Sequence, residues 1–329
     1  MRSHRSGLAS VGALVAAGLC ALVATSHAQL PRAPLDLEPL GLRGEAIFPA
    51  FEGWGPDKTG ESLLLLLGYY NRNKDQELVI PVGPDNRIEP NGPDHGQPTH
   101  FYTGRQHGVF TIKVPKDFGN TRLTWSLTAN GQTSTISFWV NPPYWVNFYK
   151  HPANSNEPPV IHLTRDGRAL TGPPVDIAQT LTGNVGRPVP LSVWASDVPM
   201  QEREVDAELA ARARATNATR APGAVAIIGG QVIGGAAPGG ASEPARAPEP
   251  DVTVNWRKHR GPGEVTFARS RIPLVTKRDP NMVLEASTTA VFSAPGEYIV
   301  RAQVNDTSGD GGGGEQCCWT TALVRVTVK

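Results

Sequence analysis

The chain has 329 residues, with 31 Lys plus Arg against 30 Asp plus Glu, so no net charge draws it to nucleic acid or to an anionic membrane. Its 35 glycines and 30 prolines favour many short strands and tight turns over long helices, and its three cysteines are too few for a disulfide scaffold. About 300 residues beyond an N-terminal leader suit two domains, each large enough to bury a core of its own.

Residues 1–28 read as a cleavable export signal. Arg2 and Arg5 form the positive end, Gly7 to Ala24 the apolar run, and Ser26-His27-Ala28 a small-x-small cleavage site. Leu19 stands before Cys20 where a lipid-attachment signal needs a small residue, so lipidation is disfavoured. No later apolar segment is long enough to span a membrane as a helix, the run Leu63 to Leu67 being five residues. The expected location is periplasmic or secreted.

Residues 44–141 form a first β domain. Strand patterning runs through Ala46 to Phe51, Ser62 to Tyr70, Glu77 to Val82, His107 to Val114, Thr121 to Thr128 and Thr133 to Val140, with turns such as Asn91-Gly92-Pro93-Asp94 between. Asn130-Gly131 predicts a two-residue hairpin that lets Leu123, Trp125 and Leu127 share a core with Ile136, Phe138 and Val140. Six or seven such strands imply an antiparallel sandwich of Ig-like proportions.

Residues 142–159 are a linker in which two proline pairs bracket Tyr144, Trp145, Phe148 and Tyr149. The prolines stiffen it, and the aromatics either fill an interface between domains or, through Tyr144 and Trp145, offer a platform on which sugar rings stack.

The second domain spans residues 160–329. Val160 to Leu163 is its first strand, and Val189, Leu191, Val193 and Ala195 alternate through a second. Residues 198–250 break the pattern. Gln201 to Ala215 has helical composition, and the Gly/Pro/Ala-rich remainder lacks large apolar residues, so the segment reads as a mostly disordered insertion. Alternation resumes at Val252, Val254 and Trp256, turns at Gly261-Pro262-Gly263 into Val265 to Phe267, and continues through Thr288 to Phe292, Tyr298 to Val304 and Ala322 to Val328.

Three of these stretches, Leu191-Ser-Val-Trp-Ala-Ser-Asp197, Val254-Asn-Trp256 with Gly261-Pro-Gly-Glu-Val-Thr-Phe267, and Phe292-Ser-Ala-Pro-Gly-Glu-Tyr298, resemble a PKD-type Ig-like domain over about Arg187 to Lys329. Where that pattern has an aromatic and a Gly-Asp-Gly turn after its central tryptophan, this chain has Arg257-Lys258-His259-Arg260. The resemblance implies a seven-stranded sandwich of the kind that serves exported proteins as a spacer, adhesion or binding unit. It implies no catalysis. On the residues alone, Trp256 belongs in the core and Tyr298 ties a corner to nearby backbone.

If the strands at 191–196 and 298–305 run the same way, their outgoing loops meet at one end of the sandwich, which becomes the candidate working surface. Asp306, Ser308 and Asp310, with Asp197 from the neighbouring loop, resemble half of a calcium loop, but Cys317 stands where a bidentate glutamate belongs. Cys317 and Cys318 are adjacent, too close for an unstrained disulfide. They could form a strained ring that makes an apolar plate beside Trp319, hold a soft metal as thiols, or pair with another molecule. His95, His100 and His107 are a loose set that either shares a metal or meets solvent. No protease zinc motif, nucleophile elbow, phosphate loop or dinucleotide fingerprint is present.

These readings converge on an exported, non-enzymatic binding or structural module whose partner is a protein or glycan at the cell surface. The alternatives are a metal- or redox-active accessory protein using the loop from Asp306 to Cys318, and a carbohydrate-binding accessory of a polysaccharide-degrading system.

Overall fold

Period-two hydrophobicity becomes strand wherever the chain is described. The computed structural model describes residues 41–151, 156–197, 226–228, 231–233, 252–275, 283–306 and 318–329. The export signal and the helical reading of Gln201 to Ala215 lie outside them. Among the described residues regular structure is β, apart from one 3-10 turn at Pro142–Tyr144.

The first sandwich packs a sheet of β1 (Ile47–Pro56), β2 (Ser62–Asn71) and β6 (Gly104–Pro115) against one of β4 (Asn86–Glu89), β7 (Leu123–Ala129) and β8 (Gln132–Phe138). A ribbon of β3 (Leu78–Val79) and β5 (His100–Phe101) lies beside them. Asn130 and Gly131 take φ of 51° and 76°, the left-handed pair that a two-residue hairpin needs, and set β7 against β8 from Leu123↔Phe138 to Ala129↔Gln132. Trp125 is fully buried, edge-on to Phe110, with its indole N–H donated to Asn86 Oδ1 at 3.1 Å.

The leucine run of β2 has a physical explanation. Leu65 and Leu67 face the sandwich core, whereas Leu64 and Leu66 point out of the other face and are buried as completely, against Phe148 and Trp319. A strand covered on both faces loses the polar half of its alternation.

The second sandwich pairs a five-stranded sheet, in the order β10 (Ile177–Gly183), β19 (Trp319–Val328), β18 (Gly296–Asp306), β14 (Val252–Arg260) and β16 (Arg271–Leu274), with a four-stranded one. The latter runs β15 (Val265–Phe267), β17 (Leu284–Phe292), β11 (Val189–Ser196) and β9 (Val160–His162). The pairing is antiparallel except that β10 runs parallel to β19. Trp256, Phe292 and Tyr298 sit in this core. The Tyr298 hydroxyl donates to the Ala294 carbonyl at 2.8 Å and accepts from the Gly263 N–H at 3.0 Å, closing the expected corner.

Within the insertion, β12 (Ala226–Ile228) and β13 (Gln231–Ile233) pair antiparallel, and the rest of residues 198–250 lies outside the described part. Short triplets rich in β-branched residues, Ala-Ile-Ile and Gln-Val-Ile, suffice for a two-stranded ribbon even though they cannot fill a core.

Candidate interdomain binding cleft

The two sandwiches meet in a continuous contact. On β18, Val300, Ala302 and Val304 fill the second core, and the intervening Arg301, Gln303 and Asn305 are buried as well. What covers them is the first sandwich. Between Leu67↔Phe110 and Tyr69↔Gln106 the register of β6 slips, so that His107 to Val109 bulge out of the ladder. Gln303 Nε2 donates to the His107 carbonyl at 2.9 Å, and the indole of Trp319 lies over Gly108, where a Cβ would come within 2.2 Å of the ring. Gly108 also has φ of 57°, so it is glycine for two reasons.

A second seam runs along β14. Its first half, Val252 to Asn255, pairs with β16. Its second half continues past β16 and is met instead by the segment Asp94 to Tyr102. The Lys258 N–H donates to the Tyr102 hydroxyl at 2.7 Å, the Thr99 N–H donates to the His259 carbonyl at 2.9 Å, and Arg260 Nε donates to the Gln97 carbonyl at 2.6 Å. The Arg260 guanidinium forks onto both oxygens of Asp94 at 2.7 and 3.0 Å, and the His259 ring donates to the Gly96 carbonyl at 2.9 Å. Arg257 lies over the Tyr102 ring, 4.5 Å from its centroid. Each residue of Arg257-Lys258-His259-Arg260 therefore makes contact with the first sandwich.

Burial in this seam shifts several protonation equilibria. Loss of solvent pulls His259 down to about 3, so its ring is neutral at pH 7. Arg301, 3% exposed, is pulled by burial to about 10 and stays charged, and Lys258 is lowered for the same reason. Burial raises the phenols of Tyr69 and Tyr102, and a hydrogen bond from Arg260 holds Asp94 below its ordinary value.

Between the seams a polar cleft of about 400 Å³ stays open. Glu77, His100, Tyr102 and Arg105 line it from the first sandwich, Asn255, Arg257, Lys258 and Gln303 from the second. A space of this size at a domain junction, with convergent amides and charges, is the usual setting for a ligand site.

The residues singled out in the sequence divide. Trp319 is not a sugar platform: it is fully buried with Leu64, Leu66 and Phe148, because β19 begins at the interface and its first side chain faces the bulge of β6. Phe148 and Tyr149 of the linker join that cluster, whereas Tyr144 and Trp145, each 52% exposed, turn outward, Tyr144 at the end of the 3-10 turn and Trp145 extended after it and bridged to β1 at Trp54. The linker is thus an added edge on the first sandwich and no free spacer. Burial on Trp54's side explains this, since the Val146 N–H donates to the Trp54 carbonyl at 2.9 Å and the Trp54 indole to the Asn141 carbonyl at 2.6 Å.

Where β11 and β18 leave their sheets, Asp197 and Asp306 are buried. Val160, opposite Ser196, and Asn156 just before it bring the two sheets together there. Asn156 Nδ2 donates to Asp306 Oδ2 at 2.6 Å and lies 3.5 Å from Cys318 Sγ. Cys318 is buried, and Ser308, Asp310 and Cys317 lie outside the described residues. Among the described residues no cluster of three or more His, Cys, Asp or Glu side chains is placed to hold a metal. The histidine trio does not converge: His95 contacts the Pro90 carbonyl, His100 Nε2 contacts Glu77 at 2.7 Å, and His107 Nδ1 lies 3.5 Å from Glu52.

Arg257, Arg260, Arg301 and Asp94 carry the junction and were absent from the sequence-based candidates. The one signal for them was the run of four charged or titratable residues, Arg257 to Arg260, that follows the alternating Val252, Val254 and Trp256. No helix among the described residues is long and apolar enough to cross a membrane.

No protein-family model matches the chain. No curated protein matches it either. Among solved structures, the D00-D0 domain of Intimin is similar over 86% of this chain and 100% of that one, at 10% identity and a TM-score of 0.23, a likeness too slight to carry any argument.

Proposed function

We propose that this protein is an exported, non-catalytic binding module whose second sandwich is of PKD type, and that it holds its ligand in the cleft between the sandwiches. One observation carries the reading: the two seams bury charged and aromatic side chains to fix the sandwiches together, yet leave a polar cavity of about 400 Å³ between them. A pure spacer gains nothing from an open polar space in its stiffest joint. Export rests on the leader pattern of residues 1–28, and the PKD assignment on the three stretches between Leu191 and Tyr298.

The test fills the cleft. Asn255→Trp places an indole in the cavity from the mid-portion of β14. A glycan and acidic-peptide array should then show ligands bound by the parent chain and lost in the variant, with unchanged thermal unfolding. Ligands that bind both chains equally would place the site elsewhere, with the outward pair Tyr144 and Trp145 as the next surface to substitute.

A second reading is favoured by the Asn156 amide, which touches both Asp306 and Cys318 and so gathers two members of the loop at one tip. In it the loop from Asp306 to Cys318 acts in metal or redox chemistry, calcium being the cation its oxygens suit. Thiol labelling followed by intact mass, with a metal assay on the purified chain, tests it. Two fully labelled thiols and no bound metal would remove it.

A further inference from the structure

β10 stands at the end of its sheet and pairs with β19 alone. The Lys329 N–H donates to the Gly183 carbonyl at 3.0 Å, which fixes Gly183 as facing β19. Backbone groups alternate sides along a strand, so Leu181 and Gln179 face β19 as well, and the N–H and C=O of Thr180 and Thr182 point away from it. No hydrogen bond engages those four groups among the described residues. An open edge of this kind is a template for another strand, and proteins blunt it with charge, proline or a bulge. Several edges here are blunted so: β16 carries Arg271 and Pro273, β4 carries Arg87 and Glu89, and β1 has Pro49 and the bridge from Trp145. β10 has a register shift at Ala178, but from Gln179 to Gly183 its ladder is regular and holds neither charge nor proline.

β8 shares that composition, and two further features set β10 apart. A mostly apolar cavity of about 130 Å³ adjoins its N-terminal end, lined by Val175, Asp176 and Ala178 together with Tyr149, Leu170 and Pro174. Strand addition draws affinity from main-chain bonds and specificity from pockets for alternate side chains, and this end of β10 supplies both. The charge around it is positive. Lys58 and Arg168 line the cavity against Asp176, which Arg168 holds at 3.0 Å, and Arg325 stands in register with Thr180. Lys58 and Arg325 are exposed and make no ion pair among the described residues, and no acidic residue occurs between Ile177 and Pro190.

We infer that β10 takes up an extended acidic peptide as an added strand, its backbone bonded to Thr180 and Thr182 and one apolar side chain seated in the cavity. This surface is separate from the cleft between the sandwiches and goes beyond the reading of that site.

Calorimetric titration of the purified chain with nine-residue peptides tests it. One set alternates Glu with Val around a central Leu, and a matched set has Lys in place of Glu. The acidic set should bind at least tenfold more tightly than the basic one, and less tightly as salt rises. Methylating every second peptide amide should abolish binding in one phase of the alternation and spare it in the other. In hydrogen exchange the Thr180 and Thr182 amides should be fast in the free chain and slow with peptide bound. Thr180→Pro removes an outward N–H where a sheet edge tolerates proline, and should weaken binding at least tenfold. Arg325→Glu changes only an exposed side chain, and should weaken it about tenfold while thermal unfolding stays in place. No binding by the acidic set, equal affinity in the two methylation phases, amides already slow in the free chain, or indifference to both variants would overturn the inference. So would a concentration-dependent dimer abolished by Thr180→Pro, which would give the edge to a second copy of this chain.

Discussion

Trp319 and Gly108 are complementary: an indole fits over a bulge because the residue beneath it has no side chain. Trp319→Ala should cost about 3 to 5 kcal/mol, the range for emptying a buried aromatic site, measured by chemical denaturation. Gly108→Ala should cost more than about 1 kcal/mol, since it adds a collision to an unfavourable φ. His259 provides a pH test. Its folded pKa of about 3 lies below the ordinary 6.5, so between these values the unfolded chain binds more protons. The stability that this neutral ring contributes is fully present above about pH 6.5 and is lost as pH falls toward 3, on the order of 3 kcal/mol by pH 4. Unfolding free energies from pH 7 to 4 should fall less steeply in His259→Gln, which can still donate to Gly96. Equal slopes would show that other groups control the acid sensitivity.

At the scale of elements, legibility followed burial. Strands with one face in a core and one in solvent alternate, and β11, β17 and the first half of β14 were readable for that reason. β10 was not, because an edge strand with its side chains half in solvent and its backbone docked on β19 carries little apolar period. β16 hides behind Pro273, which is tolerated because β16 has a neighbour on one side only. β18 misleads in another way: Arg301, Gln303 and Asn305 mimic a solvated face, yet they are buried by a domain distant in sequence. The extension of β14 meets the first sandwich through backbone and side-chain groups together, with Arg260 and Asp94 as its ion pair. A double-mutant cycle of Arg260→Ala and Asp94→Ala should give a coupling of roughly 0.5 to 1 kcal/mol, modest because Asp94 is half exposed. A coupling near zero would leave the latch to its other hydrogen bonds and to Arg257 over Tyr102.

At the scale of the molecule, residues 41–329 form one compact unit, in which the two expected sandwiches share a third apolar cluster around Trp319. Calorimetry should accordingly show one cooperative transition for the parent chain. In Trp319→Ala the transition should split or broaden, because each sandwich retains its own core. Two well-separated transitions in the parent chain would mean that the seams contribute little to stability.

The order of residues alone determined the longer strands such as β2, β7, β11 and β18, the Asn130-Gly131 hairpin, the buried Trp256 and the Tyr298 corner, because each depends on side-chain alternation or on turn chemistry among near neighbours, whereas the expected strand from Glu77 to Val82 is reduced to Leu78–Val79. Only the tertiary structure decided that Trp319 is interior, that the linker meets β1 at Trp54, and that Arg257 lines a cleft between the sandwiches. Those facts depend on which surface of one sandwich covers which surface of the other, and a local pattern that reads as solvent-facing is the same whether water or a distant domain lies against it.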